Sequence, residues 1–157
     1  MHIDSVKDLL RYDPHTGIFT WAKRRIGTRF GVEAGCFKDG YRVIRINGKL
    51  VRAHRLAFLY MTGSWPKHHI DHINGDRSDN RWINLREVDF QTNNENQRKA
   101  KSNSKSGILG VMRHQGRWMA QIQVDGKSKY IGMYGTPEEA HEAYLKAKRE
   151  LHQGCTI

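Results

Sequence analysis

The hydrophobic pattern is clearest towards the C-terminal end. Trp118, Ala120, Ile122 and Val124 fall on one face of a strand, and Arg117, Met119, Gln121 and Gln123 on the other. Val111 leads into this stretch, Asp125-Gly126 reads as a hairpin turn, and Tyr130 to Tyr134 reads as the next strand. Thr136-Pro137-Glu138-Glu139 predicts a helix start: the threonine caps, the proline occupies the first turn and Glu139 completes a capping box. Ala140, Ala143, Tyr144, Ala147 and Leu151 then recur at helical spacing and give the helix one apolar face. Residues 106–157 therefore predict a three-stranded antiparallel sheet packed on one helix.

The other segments differ in pattern. Val6, Leu9 and Leu10 form a short amphipathic stretch, and Asp13-Pro14-His15-Thr16-Gly17 reads as a turn. Ile18, Thr20, Tyr41, Val43, Ile44 and Ile46 suggest short strands, with Asp39-Gly40 and Asn47-Gly48 as hairpin turns. Residues 1–50 thus read as a small β-rich extension. Arg55 to Met61 looks helical and ends at Gly63, with Pro66 close behind. Residues 68–97 are dense in His, Asp and Asn. Gln97 to Gly107 then carries Arg98, Lys99, Lys101 and Lys105 without an acid; it cannot bury a core, and 98–105 reads as a basic linker.

Composition narrows the partner. The chain has 157 residues, with 27 Lys+Arg against 16 Asp+Glu, a formal charge of +11. That balance favours a polyanion, most simply nucleic acid. The longest apolar run, Leu56 to Met61, is too short to span a bilayer. Met1 to Asp13 mixes Asp4, Lys7, Asp8 and Arg11 among its apolar residues and does not read as a signal peptide, so a cytoplasmic protein with no membrane partner is expected. Cys36 and Cys155 are far apart, which fits a reducing compartment.

The middle segment carries candidate chemistry. His69 to His72 predicts a strand ending in Asp71-His72, Leu85 to Val88 a second strand, and Asp89 the cap of a helix that presents Asn93. Asp71, His72, Asn84 and Asn93 can converge on one point. Asp71 and the Asn93 amide are hard oxygen ligands that suit Mg²⁺, with Mn²⁺ able to substitute, and the chemistry is phosphodiester hydrolysis. His72 is then placed to take a proton from the attacking water, and Asn84 to hold either the loop or the imidazole. The competing reading makes these Asn and Asp residues turn formers and caps. A zinc site from His54, His68, His69 and His72 lacks regular ligand spacing, so no structural zinc is expected.

Arg52-Ala53-His54-Arg55-Leu56-Ala57, Ile70-Asp71-His72-Ile73-Asn74-Gly75-Asp76, Asn80-Arg81, Asn84-Leu85-Arg86 and Asn93-Asn94 together resemble the HNH endonucleases of phages and mobile introns. The resemblance, carried by residues 51–97, implies an α+β, ββα-metal (His-Me finger) module with one divalent ion. By position it implies Asp71 and Asn93 as metal ligands, His72 as general base and Asn84 as the middle asparagine of the motif. His54-Arg55 matches a family His-Arg pair, in which Arg55 either touches phosphate or packs structurally. Where relatives often have Thr after the second strand, this chain has Asp89; among Asn93, Asn94 and Asn96 the spacing favours Asn93.

If DNA is the partner, the C-terminal sheet fits the major groove. Its open face is expected to carry Arg113, Arg117, Gln121, Gln123, Lys127 and Lys129, where Arg suits guanine, Gln suits adenine and Lys suits phosphate. The linker cations Arg98, Lys99, Lys101 and Lys105 would order along the phosphates, and Lys23, Arg24, Arg25 and Arg29 would add N-terminal contacts. Ser106-Gly107-Ile108-Leu109-Gly110-Val111, Gly116-Arg117-Trp118-Met119-Ala120-Gln121-Ile122, Gly132-Met133-Tyr134-Gly135-Thr136 and Pro137-Glu138-Glu139-Ala140 resemble the AP-two/ethylene-response-factor type of DNA-binding domain. The expectation is a homing-type endonuclease of duplex DNA, one strand per HNH centre, acting as monomer or homodimer. The rival is a non-catalytic DNA-binding regulator, and an RNA-binding protein ranks below both.

Overall fold

The structure, a computed structural model, describes residues 3–24, 27 and 30–156. The chain divides into two compact units, Met1–Asp89 and Phe90–Ile157.

The first unit opens with helix α1 (Ile3–Leu9), then strands β1 (Leu10–Asp13) and β2 (Ile18–Trp21) paired antiparallel. The helix gives way to a strand at Leu10 because Leu10 and Tyr12 alternate with the exposed Arg11 and Asp13; the second strand of this hairpin was legible, the first was not. Strands β3 (Cys36–Lys38), β4 (Tyr41–Ile46) and β5 (Lys49–Arg52) form a meander. Its connections, Asp39-Gly40 and Asn47-Gly48, hold φ of 52° and 79°, and 49° and 79°. Two-residue hairpin turns need positive φ at both positions, which Asp/Asn-Gly supplies. Helix α2 (Ala53–Thr62) follows at once and ends on Gly63, at φ 80°, whose N–H donates to the Leu59 carbonyl. Strands β6 (His69–His72) and β7 (Leu85–Val88) complete the unit as a second antiparallel pair.

One core unites these elements. Val6, Leu10, Tyr12, Phe19, Ile44, Ile46, Leu56, Leu59, Ile70 and Leu85 are buried together. The N-terminal elements therefore fold with the β6–β7 pair. Lys23 and Arg24 are exposed, Lys23 pairing with Asp8 at 3.5 Å; Arg25 and Arg29 lie outside the described residues.

The second unit holds helix α3 (Phe90–Glu95), strands β8 (Val111–His114), β9 (Arg117–Val124) and β10 (Lys127–Tyr134), and helix α4 (Pro137–Leu151). The sheet order is β10-β9-β8, all antiparallel, and α4 packs against it around Val111, Ala120, Ile122, Ala140 and Tyr144. Thr136 and Glu139 form the capping box that starts α4. The segment 98–105 belongs to this unit, and Arg98 donates to the Thr156 carbonyl at 2.9 Å.

The expected open face needs correction. The two-residue turns Gln115-Gly116 and Asp125-Gly126 set Arg113 opposite Trp118, Lys127 opposite Val124 and Lys129 opposite Ile122. Directly opposed residues share a face, so Arg113, Lys127 and Lys129 lie on the α4 side of the sheet, though exposed. Arg117, Gln121 and Gln123 share the other face with His114, Met112, Met119, Ser128 and Tyr130. Reading odd positions straight through the turns ignored that such a turn flips the parity.

Candidate active site

The β6–β7 register sets Asp71 opposite Arg86 and His72 opposite Leu85. Arg86 donates to Asp71 Oδ2 from Nε at 3.0 Å and from Nη2 at 2.9 Å, and the carboxylate is buried. This cross-strand ion pair fixes the carboxylate at the end of the strand. His72 is also buried, and burial lowers its pKa, so the neutral imidazole is favoured.

The connection from Ile73 to Asn84 is built from Asn and Asp side chains. Asn74 Oδ1 accepts from the Asp76 N–H and its Nδ2 donates to Asp79, while Asp76 Oδ1 accepts from Ser78. Arg81 pairs with Asp79 and holds that carboxyl at about 2. Asn84 Oδ1 accepts from the Asn74 N–H at 2.9 Å and its Nδ2 donates to the Asp79 carbonyl at 2.8 Å. Of its two expected duties, Asn84 thus holds the loop. The turn-former reading is right for Asn74, Asp76 and Asp79 as well.

The imidazole is held by Asn80, part of the quoted motif but given no role by the sequence reading. Asn80 is buried, and its Oδ1 lies 3.4 Å from His72 Nε2. Asn80 Nδ2 donates to the Ser78 carbonyl at 3.0 Å. A carbonyl only accepts, so this bond fixes which end of the amide faces the histidine. An amide oxygen also only accepts, so a hydrogen bond between the two has Nε2 as its donor and leaves the lone pair of the neutral ring on Nδ1. The signal available was the Asp79-Asn80 dipeptide at the loop end, which reads equally as a cap.

His54, on the first turn of α2, packs edge-on to His72 with ring centroids 4.9 Å apart. Its Nδ1 is buried without a hydrogen-bond partner, and burial above all pushes its pKa down to about 3. Tyr41 lies 6.2 Å from the His72 ring, flanked by the guanidinium of Arg52 at 4.3 Å and that of Arg77 at 5.1 Å. Those two arginines place positive charge on the Tyr41 ring, and neither was anticipated. Arg55 sets Nη2 3.5 Å from the Pro66 carbonyl, the outer limit of a hydrogen bond.

In the second unit, α3 carries the candidates Asn93 and Asn94, and Asn96 follows its last residue. Asn96 is buried and accepts from Thr156 Oγ1, and Asn94 accepts from Gln97 Nε2. Asn93 is half-buried on the same helix. Glu95 accepts from the Gly154 N–H at 2.9 Å, so the C-terminal tail secures α3.

Residues 51–98 match the family model for HNH endonucleases. The matched stretch, under a third of the chain, is similar to an HNH endonuclease domain. That stretch takes in α2, β6, β7 and α3, and with them His54, Asp71, His72, Asn80, Asn84 and Asn93. A solved structure, "DNA binding and cleavage by the HNH homing endonuclease I-HmuI", is similar at 22% sequence identity and a TM-score of 0.46, over 98% of this chain and 93% of that chain. No curated protein matches the chain. HNH nucleases are generally divalent-metal dependent. Among the described residues no three His, Cys, Asp or Glu side chains cluster as a metal site. The donors that the motif's resemblance implies are instead one carboxylate, Asp71, and one amide, Asn93. Asp71 fits as a hard oxygen donor, and an ion there would share its carboxylate with Arg86.

Proposed function

We propose that this chain is an HNH endonuclease that hydrolyses phosphodiester bonds in duplex DNA with Mg²⁺, for which Mn²⁺ substitutes, leaving 5′-phosphate and 3′-hydroxyl ends. One observation carries the reading: inside the stretch that matches the HNH family, a buried neutral imidazole sits beside an ion-paired carboxylate with its Nε2 turned to an amide oxygen. His72 Nδ1 takes a proton from the attacking water, an effect worth roughly 10²–10⁴-fold. Asp71 and Asn93 would hold the metal ion, which would stabilise charge developing on the scissile phosphate and the leaving 3′ oxygen. Arg86 keeps the Asp71 carboxylate oriented. Asn84 keeps the loop closed. Arg52 and Arg77, over the Tyr41 ring, give the phosphates a cationic rim.

Residues 106–157 serve as a DNA-reading module of the AP-two/ethylene-response-factor type. Arg117, Gln121 and Gln123 offer base-edge contacts, and Met112 and Met119 on the same face suit thymine methyl groups. Arg113, Lys127 and Lys129, with Arg98, Lys99, Lys101 and Lys105, serve phosphates. One HNH centre per chain implies that a monomer nicks and that a homodimer cuts both strands. The homing character and the phage or mobile-element setting follow from the resemblance of the motifs.

Supercoiled plasmid incubated with Mg²⁺, with EDTA, and with the His72→Ala protein tests the reading. Open circles only from the unaltered protein with metal are expected. DNA binding that His72→Ala leaves intact, with no cleavage by either protein in Mg²⁺ or Mn²⁺, would give the chain to the non-catalytic regulator.

A further inference from the structure

The hairpin of β1 and β2 grips the loop that holds the imidazole at three points. Tyr12 is buried, and its hydroxyl donates to the Asn80 carbonyl at 2.7 Å. The Trp82 N–H donates to the Pro14 carbonyl at 2.9 Å. Gly17, at φ 73°, lies so close that a Cβ there would stand 2.4 Å from Arg81 N and from the Asn80 carbonyl carbon. All three contacts fall on residues 80–82, the short stretch whose Asn80 side chain meets His72. None of the gripping residues lies within the family match of 51–98.

The Tyr12 contact differs from the other two. Asn80 is held through its carbonyl by Tyr12 and through its Nδ2 by Ser78, leaving Oδ1 to face His72 Nε2. At 3.4 Å that last bond is long, so small movements of the Asn80 backbone make or break it. The Tyr12 ring is itself fixed, stacked on Phe19 at 4.6 Å and edge-on to Tyr60 at 5.8 Å. Its hydroxyl therefore delivers a rigid reference point from the core to the loop.

We propose that Tyr12 is a positioning residue for the general base: by fixing Asn80 it keeps the Nε2–H tautomer of His72 and aims Nδ1 at the attacking water. The proposal rests on the HNH reading for its effect on rate, but not for its effect on the imidazole. Partners that orient a reacting group in this way typically matter 10–100-fold.

The test uses the full chain and two substitutions, Tyr12→Phe and Asn80→Ala. With saturating protein on supercoiled plasmid, Tyr12→Phe is expected to slow single-turnover cleavage by roughly tenfold while DNA affinity stays within about twofold. If Tyr12 acts through Asn80, the double variant is no slower than Asn80→Ala alone; losses that multiply would overturn the proposal. Ring ¹⁵N resonances of His72, read without DNA or metal, are expected to report the Nε2–H tautomer in the unaltered protein and a mixture in Tyr12→Phe. An unchanged tautomer in Tyr12→Phe would also overturn it. This second reading stands even if no DNA is cut, so failure of the HNH assignment and failure of the Tyr12 role are separable. Should Tyr12→Phe not fold, the His72 resonances of Asn80→Ala decide whether Asn80 sets the tautomer at all, and a pure Nε2–H form there would end the proposal.

Discussion

His54 and His72 are two buried imidazoles in edge contact, and for both the protein interior disfavours the charged form. For His54 the consequence is calculable in sign. Its ordinary pKa is about 6.5, and burial, then His72, Arg52 and Arg55, lower it to about 3 in the folded protein. Below 6.5 the unfolded chain takes up a proton that the folded chain refuses, so stability is full above that value and declines steadily towards pH 3. The midpoint of thermal unfolding of the first unit should therefore fall between pH 7 and pH 4.5. His54→Phe, which keeps an aromatic ring but cannot titrate, should flatten that fall; parallel pH curves for the two proteins would contradict it. Residue chemistry of this kind was only partly legible. Asp71-His72 stood out because a carboxylate and an imidazole adjacent in a strand face opposite ways. Asn80 did not, because which of two loop asparagines reaches the imidazole is decided by the hairpin that grips the loop from sixty-odd residues away. Lys148 carries no sequence signal for a similar reason. It occupies the buried position four residues beyond Tyr144, where its ammonium donates to the Gln97 carbonyl, and no pattern of charge marks such a lysine as internal.

Elements were more legible than contacts wherever a local rule fixes the backbone. The start of α4 is the clearest case: Thr136 Oγ1 accepts from the Glu139 N–H, and the Glu139 carboxylate accepts from the Thr136 N–H. Thr136→Ala should cost about 1 kcal/mol in chemical denaturation of the second unit, with the range 0.5–2 typical of such caps, and Thr136→Ser should recover most of it. A loss under a few tenths would mean that sheet packing, not the cap, sets where the helix begins. Gly110 argues the opposite limit. It holds φ 76°, and a Cβ there would meet the Tyr144 ring at 2.0 Å, so Gly110→Ala must displace the aromatic at the centre of the small core. That substitution should destabilise the unit by more than the cap does, roughly 2 kcal/mol or beyond, by the same denaturation. Neither its φ nor its closeness to Tyr144 is visible in one dimension. The faces of the sheet were legible in principle, since once Asp125-Gly126 is a two-residue turn, the side on which Lys127 falls is determined.

At the scale of the molecule, both compact units are cationic: residues 1–89 hold 16 Lys and Arg against 10 Asp and Glu, and residues 90–157 hold 11 against 6. A polyanion would therefore be attracted by each. If duplex DNA is that polyanion, the logarithm of affinity should fall linearly with the logarithm of salt, with a slope of roughly −0.9 for each phosphate neutralised. The slope then divides the two units by experiment. Lys99→Ala and Lys101→Ala, in the segment Arg98 ties to the C-terminal tail, should each reduce its magnitude by about one phosphate and weaken binding alike on every sequence. Arg117→Ala, on the open face of the sheet, should instead lose discrimination between sites, by about 1–3 kcal/mol at one base pair. Arg52→Ala and Arg77→Ala, which remove the guanidinium groups over Tyr41, should lower the slope and, under the proposed function, also slow cleavage. Binding that ignores the second-unit substitutions while responding to Arg52 and Arg77 would assign the whole DNA surface to the first unit. Binding that stays flat from low to high salt would remove duplex DNA as the partner, since a chain of this charge cannot neutralise phosphates without releasing their counterions.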